Sequence, residues 1–176
     1  MKDPKHLPWI ISLFPSMIAV MPSRVVVQSE ADLNKVFTTP PERDDTFDKK
    51  SLPCWSPALY EAGVKRGNAN VKEISALVYD FDHKVRHVDM MMMHLNAAGV
   101  AYIVHSTWSH SASEHRYRVI LFLSKEVGPE KYEAAWGHGL GIIGYDAGVD
   151  MQARNISRHY ALPAHKDGEE YRVGIS

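Results

Sequence analysis

The clearest patterning of apolar and polar positions lies beyond residue 70. Residues 74–79 form a short apolar run bounded by polar residues, which predicts a strand buried on both faces. Val88, Met91, Met92 and Leu95 recur at i, i+3, i+4 and i+7, and Gly99 stands where a left-handed glycine ends many helices. A helix is predicted between them, its methionines filling core rather than binding a cofactor. Residues 100–104 and 117–123 predict a second and a third strand. Pro129 suits a first helical turn, and Tyr132, Ala135, Trp136, Leu140 and Ile143 keep helical spacing, although Gly137, Gly139 and Gly141 weaken the second half. Residues 159–162 predict a fourth strand, stopped by Pro163. The order β-α-β-β-α-β is that of a ferredoxin-like, RRM-like α+β core, an architecture that hosts too many activities to decide one.

Upstream, residues 7–21 are rich in apolar positions behind Lys2 and Lys5, as in a signal peptide. Asp3 in the would-be basic region, Pro8 and Pro15 within the run, and the lack of a small-x-small cleavage site argue against that reading. The run is also too short and broken to span a bilayer. It predicts buried core in a cytoplasmic protein. Ser29 with Asp32 three residues on opens a short helix to Phe37. Residues 38–57, with four prolines and a cluster of charges at 42–50, predict a surface connection rather than an element. Residues 1–70 are therefore expected to be an N-terminal α/β extension, a lobe of the same domain as the core at 71–176.

Composition narrows the chemistry. A chain of 176 residues with 45% hydrophobic and 23% charged content has the balance of one folded domain. Its single cysteine, Cys54, excludes a disulfide framework and a cysteine-based zinc cluster. Net charge of −1 excludes a strong whole-molecule attraction to nucleic acid, though not a local basic patch. Histidine is the outlier, with nine of ten beyond residue 82. Candidate chemistry is concentrated there.

Asp80 and Asp82 end the first predicted strand. Alternation puts both on one face, ~7 Å apart, where two carboxylates repel each other and lose hydration. A divalent cation offsets both costs, and oxygen ligands favour Mg2+ or Mn2+. The competing reading has both acids already off the strand and facing water. A second group runs from His105 through Ser106, Thr107 and His110 to His115, Arg116 and Arg118; hydroxyls, imidazoles and two arginines on one strand face suit a triphosphate, although a polar hairpin would contain them too. A third holds Asp146, Asp150, Arg154 and Arg158. A third carboxylate beside Asp80 and Asp82 would complete a two-metal site, provided the fourth strand lies against the first.

Taken in order, Asp80-Phe81-Asp82, the Ser-Thr-x-Ser-His loop leading to Arg116-x-Arg118, and Asp150 followed by Ser157-Arg158-x-Tyr160-x-x-Pro163 resemble archaeo-eukaryotic primases, in particular the primase-polymerase domains of phage and plasmid replication proteins. The resemblance spans residues 74–163. It implies a template-dependent nucleotidyltransferase that makes or extends primers on single-stranded DNA from NTPs or dNTPs. Asp80, Asp82 and Asp150 (Asp146 in reserve) would be catalytic and bind Mg2+ or Mn2+. Ser106, Thr107, His110 or His115, Arg116 and Arg118 would hold the nucleotide, and Arg154 and Arg158 would contact the template. A replicative helicase is a further partner the resemblance implies; a membrane is not.

Three rivals share the fold or the setting. A non-catalytic RRM-like module in replication initiation would stack bases on Tyr79, Phe81 and Tyr117, but the third strand lacks the Gly-aromatic signature of such modules. A rolling-circle nuclease needs two histidines flanking one residue, and no pair here is two apart. His83 and His87, four apart, could share a helical face as a zinc site, but solvated histidines at a helix start are the preferred reading. A catalytically dead initiation protein would not be expected to keep all three acids.

Overall fold

A computed structural model describes residues 8–38, 40–44, 46–82, 85–144 and 148–176. Its elements in chain order are β1 (Trp9–Phe14), β2 (Ser23–Val27), α1 (Glu30–Phe37), β3 (Glu42–Arg43), β4 (Cys54–Ser56), β5 (Ala58–Tyr60), β6 (Val71–Phe81), α2 (Val88–Ala97), β7 (Ile103–Ser106), β8 (Tyr117–Val127), α3 (Pro129–Ile143), β9 (Tyr160–Ala161), β10 (His165–Lys166) and β11 (Val173–Ile175). The architecture is α+β, as the patterning predicts.

The central sheet runs β11-β7-β8-β6-β5, and β8 is antiparallel to both β6 and β7. With α2 and α3 on one face, β6-α2-β7-β8-α3 is a split β-α-β frame. Alternation along β6 divides its buried residues between two layers. Leu77, Tyr79 and Phe81 pack with Met91, Leu95, Trp136 and Ile143 of the helices. Ala76 and Val78 face the other way, against Trp9, Ile11, Trp55 and Tyr160. A second, antiparallel sheet of order β2-β1-β4-β9 closes over that face. Trp9 stacks on Phe122 of β8 at 3.4 Å between ring centres, fastening the two sheets.

Local signals explain the helices. Ser29 Oγ accepts from the Asp32 amide and Asp32 Oδ2 accepts from the Ser29 amide, a closed capping box that starts α1, while Leu33 and Phe37 bury its inner face. Helix α3 continues to Ile143 despite its glycines. At Gly139 the bare backbone is what lets the helix reach β6, because a Cβ there would collide with Tyr79 Oη. The tyrosine donates to Trp136 O (2.7 Å), and the Trp136 indole donates to Val78 O (3.2 Å).

Three expectations are corrected. The predicted fourth strand at 159–162 does not join the central sheet: β9 pairs with β4 in the second sheet. The place beside β6 is taken by a single antiparallel bridge, Phe81 to Val149, after which Asp150 turns the chain into a 3-10 turn at Met151–Arg154. Residues 38–57 are not a bare surface connection, since Leu52, Cys54, Trp55 and Ser56 are buried and β4 is an inner strand. Within 7–21 only β1 is core; Ile18 is 78% exposed on the turn beyond it. Patterning misleads in each case because runs of two or three residues carry too little periodicity to distinguish strand from loop. The expected boundary at residue 70 also separates no sheets, because β5 joins the central sheet and β9 joins the N-terminal one. Among the described residues no helix is long and apolar enough to cross a membrane.

Candidate active site

Asp80 is the next residue after Ala76 and Val78 on the face of β6 that looks toward the second sheet, one residue before the strand ends at Phe81. Register fixes its neighbours: Asp80 stands opposite Arg118 on β8, and Arg118 opposite His105 on β7. The Asp80 carboxylate is 3% exposed and accepts from Arg118 Nε at 3.0 Å. Arg118 also donates through an outer nitrogen to Ala161 O (2.9 Å), so it ties β8 and β6 to β9. Burial holds the Asp80 carboxyl above the usual carboxylate range, with Arg118 pulling it down and Asp82 pushing it up.

The second sheet brings the remaining pieces. Tyr160 of β9 is a buried platform, with the Arg118 guanidinium 5.2 Å and that of Arg158 6.0 Å from its ring centre. Arg158 lies 3.3 Å from Asp150 Oδ2 and 3.8 Å from Asp80 Oδ2. Asp150 is delivered by the bridge at Val149 and by its own amide, which donates to Asp80 O at 2.8 Å. Its other oxygen caps the following turn by accepting from the Gln152 amide. Asp82, Asp150 and Arg158 line one open cleft of about 490 Å³ with Gly148, Val149 and Gln152. Asp80, Asp82 and Asp150 thus gather at the end of β6, although the strand expected to carry the third acid sits elsewhere. Asp146 and His83 lie outside the described residues.

A lysine that patterning assigns to a surface run belongs here as well. Lys49, in the 3-10 turn Lys49–Ser51, donates to Ser109 Oγ (3.4 Å) across the mouth of the site. Burial and then the Arg118 guanidinium hold its ammonium below the ordinary value, opposed by Asp82 and Asp80. No sequence signal marks it, because a lysine in a run of charges reads as solvated.

The other predicted residues divide between the mouth of the site and the α2 terminus. Arg116 faces Lys49 closely enough to lower its pKa and pairs with Glu114 at 2.8 Å. His115 turns instead toward the α2 terminus, where its ring is 3.9 Å from that of His87 and 5.1 Å from that of His110. Burial first, then the neighbouring imidazoles, lowers the pKa of both His110 and His115. Ser106 Oγ accepts from the Arg172 amide (2.9 Å) and so braces β11. Thr107 is buried, and its amide and carbonyl hold Arg116 O and the His110 amide. Arg154 pairs with Glu133 of α3, outside the residues that line the acidic cleft. Tyr79, Phe81 and Tyr117 are fully buried under the helices, so none of them offers a stacking platform for a base.

The donor chemistry suits a hard divalent cation: three carboxylates, without sulfur or imidazole among them. In arrangement, no group of three carboxylate, imidazole or thiolate side chains among the described residues is placed to hold a metal ion, and the Arg158 guanidinium contacts both Asp80 and Asp150.

Residues 58–171 match the model of the VapE N-terminal domain. The chain belongs to that family. The match takes in Asp80, Asp82, Asp150, Arg116, Arg118 and Arg158, and Lys49 and the N-terminal hairpin lie outside it. No curated protein matches this VapE N-terminal domain in sequence. In structure it is similar to the AEP domain of the primase-polymerase of cyanophage S-2L, with a TM-score of 0.53 at 10% identity over 94% of this chain and 80% of that one. The VapE N-terminal domain therefore has the fold of a phage primase-polymerase, in agreement with the resemblance carried by its motifs.

Proposed function

We propose that the domain is a template-dependent nucleotidyltransferase, a primase-polymerase that makes or extends primers on single-stranded DNA. The observation that carries this reading is the convergence of Asp80 and Asp150 on Arg158, with Asp82 in the same cleft. In this reading Asp80, Asp82 and Asp150 hold Mg2+ or Mn2+ once Arg158 gives up its position between them. Such ions supply charge neutralisation at the attacking and leaving oxygens of phosphoryl transfer. The protein's own residues do the rest. Arg116 and Lys49 offer cations to the triphosphate at the mouth, and Ser109 fixes the lysine. Arg118 stays on Asp80 and, through Ala161 O, keeps the two sheets at a fixed spacing. Burial of Asp80 against Tyr160 excludes water from the inner carboxylate. Arg158, released, is placed to take a phosphate of template or nucleotide. His110 and His115 act on the nucleotide only by way of the loop they brace, and Arg154 meets template only on leaving Glu133.

A second reading, a non-catalytic nucleic-acid-binding module in replication initiation, draws on one observation: the acids are neutralised by guanidinium groups as they stand. Asp80→Asn and Asp150→Asn separate the two. The polymerase reading expects primer extension on a single-stranded template, in Mg2+ or Mn2+, to be lost in both variants, together with Mn2+ binding followed by electron paramagnetic resonance; Asp150→Asn should melt near wild type, whereas Asp80→Asn, which leaves the buried Arg118 guanidinium without its counter-charge, should melt lower but still cooperatively. Extension that survives both substitutions overturns it. A wild-type chain that binds DNA but neither Mn2+ nor nucleotide establishes the module.

A further inference from the structure

The charge cluster at 42–50 carries one aromatic residue, and the turn around it is closely bonded. Asp44 Oδ1 accepts from the Thr46 amide (2.9 Å), Asp44 O accepts from the Phe47 amide (3.2 Å), and Asp48 Oδ1 accepts from the Lys50 amide (2.9 Å). Both carboxylates are spent inside the turn, which holds Phe47 and Lys49 in place. Phe47 lies against Trp108, with 5.7 Å between ring centres, and the Arg43 guanidinium lies over Phe47, 5.1 Å from its centre. Trp108 is buried in a cluster with Phe14, Leu52 and Cys54. Arg43 is the outer member of the stack. It is exposed, and among the described residues no carboxylate pairs with it.

Two chain neighbours tie this stack to the candidate active site. Lys49, two residues after Phe47, donates to the hydroxyl of Ser109, the residue after Trp108. The fields of Arg118, Asp82, Asp80 and Arg116 all reach the Lys49 ammonium. An ammonium beside the acids thus stands next to an exposed guanidinium backed by two rings. A phosphate is served by either kind of cation, but a flat, weakly hydrated guanidinium also offers a plane. Nucleobases stack on arginine planes as they do on aromatic side chains.

We propose that Arg43, backed by Phe47 and Trp108, is a stacking platform for a nucleobase, with Lys49 beside it for the phosphate that the base carries. The inference rests on the nucleotidyltransferase reading and deepens it, naming a base-positioning residue outside the span that matches the family. The base belongs to the incoming nucleotide or to the single strand, and the experiment separates the two.

The test measures binding of the full chain to two pairs of probes, each pair similar in charge and different in base. One pair is a fluorescein-labelled oligothymidylate and an abasic oligomer of the same length, read by anisotropy across a potassium chloride series. The other is ATP and inorganic tripolyphosphate in Mn2+, read by calorimetry. Arg43→Lys keeps the charge and removes the plane. It should weaken the base-bearing member of one pair about tenfold, the worth of one stacked base, and leave the base-free member as in the wild type. A loss with oligothymidylate assigns the base to the single strand; a loss with ATP assigns it to the incoming nucleotide. The slope of log K against log salt should not change, since no phosphate contact is removed. The side chain is exposed, so the variant should melt with the wild type. Equal affinity of wild type and variant for all four probes overturns the proposal. So does a loss shared by the base-bearing and base-free members of a pair, which makes Arg43 a phosphate contact or a prop of the loop. Primer extension by the same proteins keeps the two readings apart. A wild-type chain that extends primers, with all four affinities unchanged by Arg43→Lys, removes only the platform. A wild-type chain that never extends primers, yet distinguishes base-bearing from base-free probes through Arg43, removes only the polymerase.

Discussion

Replacing Arg118 with methionine tests the organisation of the site directly. The substitution keeps the aliphatic volume between the sheets and deletes the group that neutralises Asp80. That carboxylate is 3% exposed, so water cannot take the place of the guanidinium. Removing one partner of a buried pair costs about 3–5 kcal/mol, because the other charge is left uncompensated. Arg158, 3.8 Å away, keeps part of the compensation and places the loss at the lower end. The orphaned Ala161 carbonyl adds back about 1 kcal/mol. The expected loss of about 4 kcal/mol corresponds to roughly 10 °C in melting temperature for a domain of this size. It also carries a pH signature. Burial already holds the Asp80 carboxyl above its ordinary value, and loss of Arg118 lifts it further. A raised carboxyl contributes stability at low pH that disappears as pH rises through its folded pKa. Below both folded values Asp80 is neutral in wild type and variant alike, so their difference is small there. It widens between the wild-type and the variant pKa, then levels off. Urea denaturation of both proteins at a series of pH values upward from the ordinary carboxylate range measures this. Asp80→Asn added to Arg118→Met should recover most of the loss. A deficit below about 1 kcal/mol, or one that grows as pH falls, refutes the buried pair as the organising contact.

Two further outcomes follow from the geometry. Gly139→Ala should destabilise by about 1–3 kcal/mol, because its Cβ meets Tyr79 Oη and lies 3.1 Å from Leu77 Cδ1, whereas Gly137→Ala, with nothing within 4 Å, should stabilise by up to about 1 kcal/mol; thermal melts of the pair with the same sign would contradict the close approach of α3 to β6. His105 is fully buried beside Arg118, and burial lowers its pKa to about 3, so the folded state resists its protonation and stability falls as pH drops below about 6.5, by up to ~1.4 kcal/mol per pH unit. His105→Gln should flatten that acid limb in chemical denaturation, and comparison with wild type cancels the opposite contribution of Asp80; an unchanged limb shows that His105 is not buried neutral.

The central frame was legible because its elements are long. An eleven-residue strand and a fifteen-residue helix repeat their period often enough to be recognised, and alternation placed Asp80 on the strand face, whereas Asp82 lies one residue past the end of β6. The second sheet was not legible. Strands β4 and β9 have three and two residues, and what makes Trp55 and Tyr160 core is a partner sheet distant in sequence. Lys49 was hidden for the related reason that a charge run is read as solvated unless something folds over it. The histidines were legible only as candidates: the sequence could not show that His115 packs its ring against His87 at the start of α2, because the two are brought together by the fold.

Mutual repulsion at the end of β6 was the argument for a cation, and the structure meets it with guanidinium groups delivered from two directions, Arg118 by β8 and Arg158 by the segment entering β9. These two arginines are not equivalent. Arg118 is 11% exposed, bonded to Ala161 O and confined between sheets, so its position is fixed by the fold. Arg158 is 27% exposed, with contacts of 3.3 Å and longer to Asp150, Asp80 and Gln152. Exposure and long contacts make Arg158 the cheaper pair to dissolve, since an ion pair open to water contributes less than one fully enclosed. A carboxylate cluster built this way is largely compensated within the fold, and Asp82 and Asp150 line the cleft from which, in the proposed reading, a triphosphate and its counter-ions would arrive.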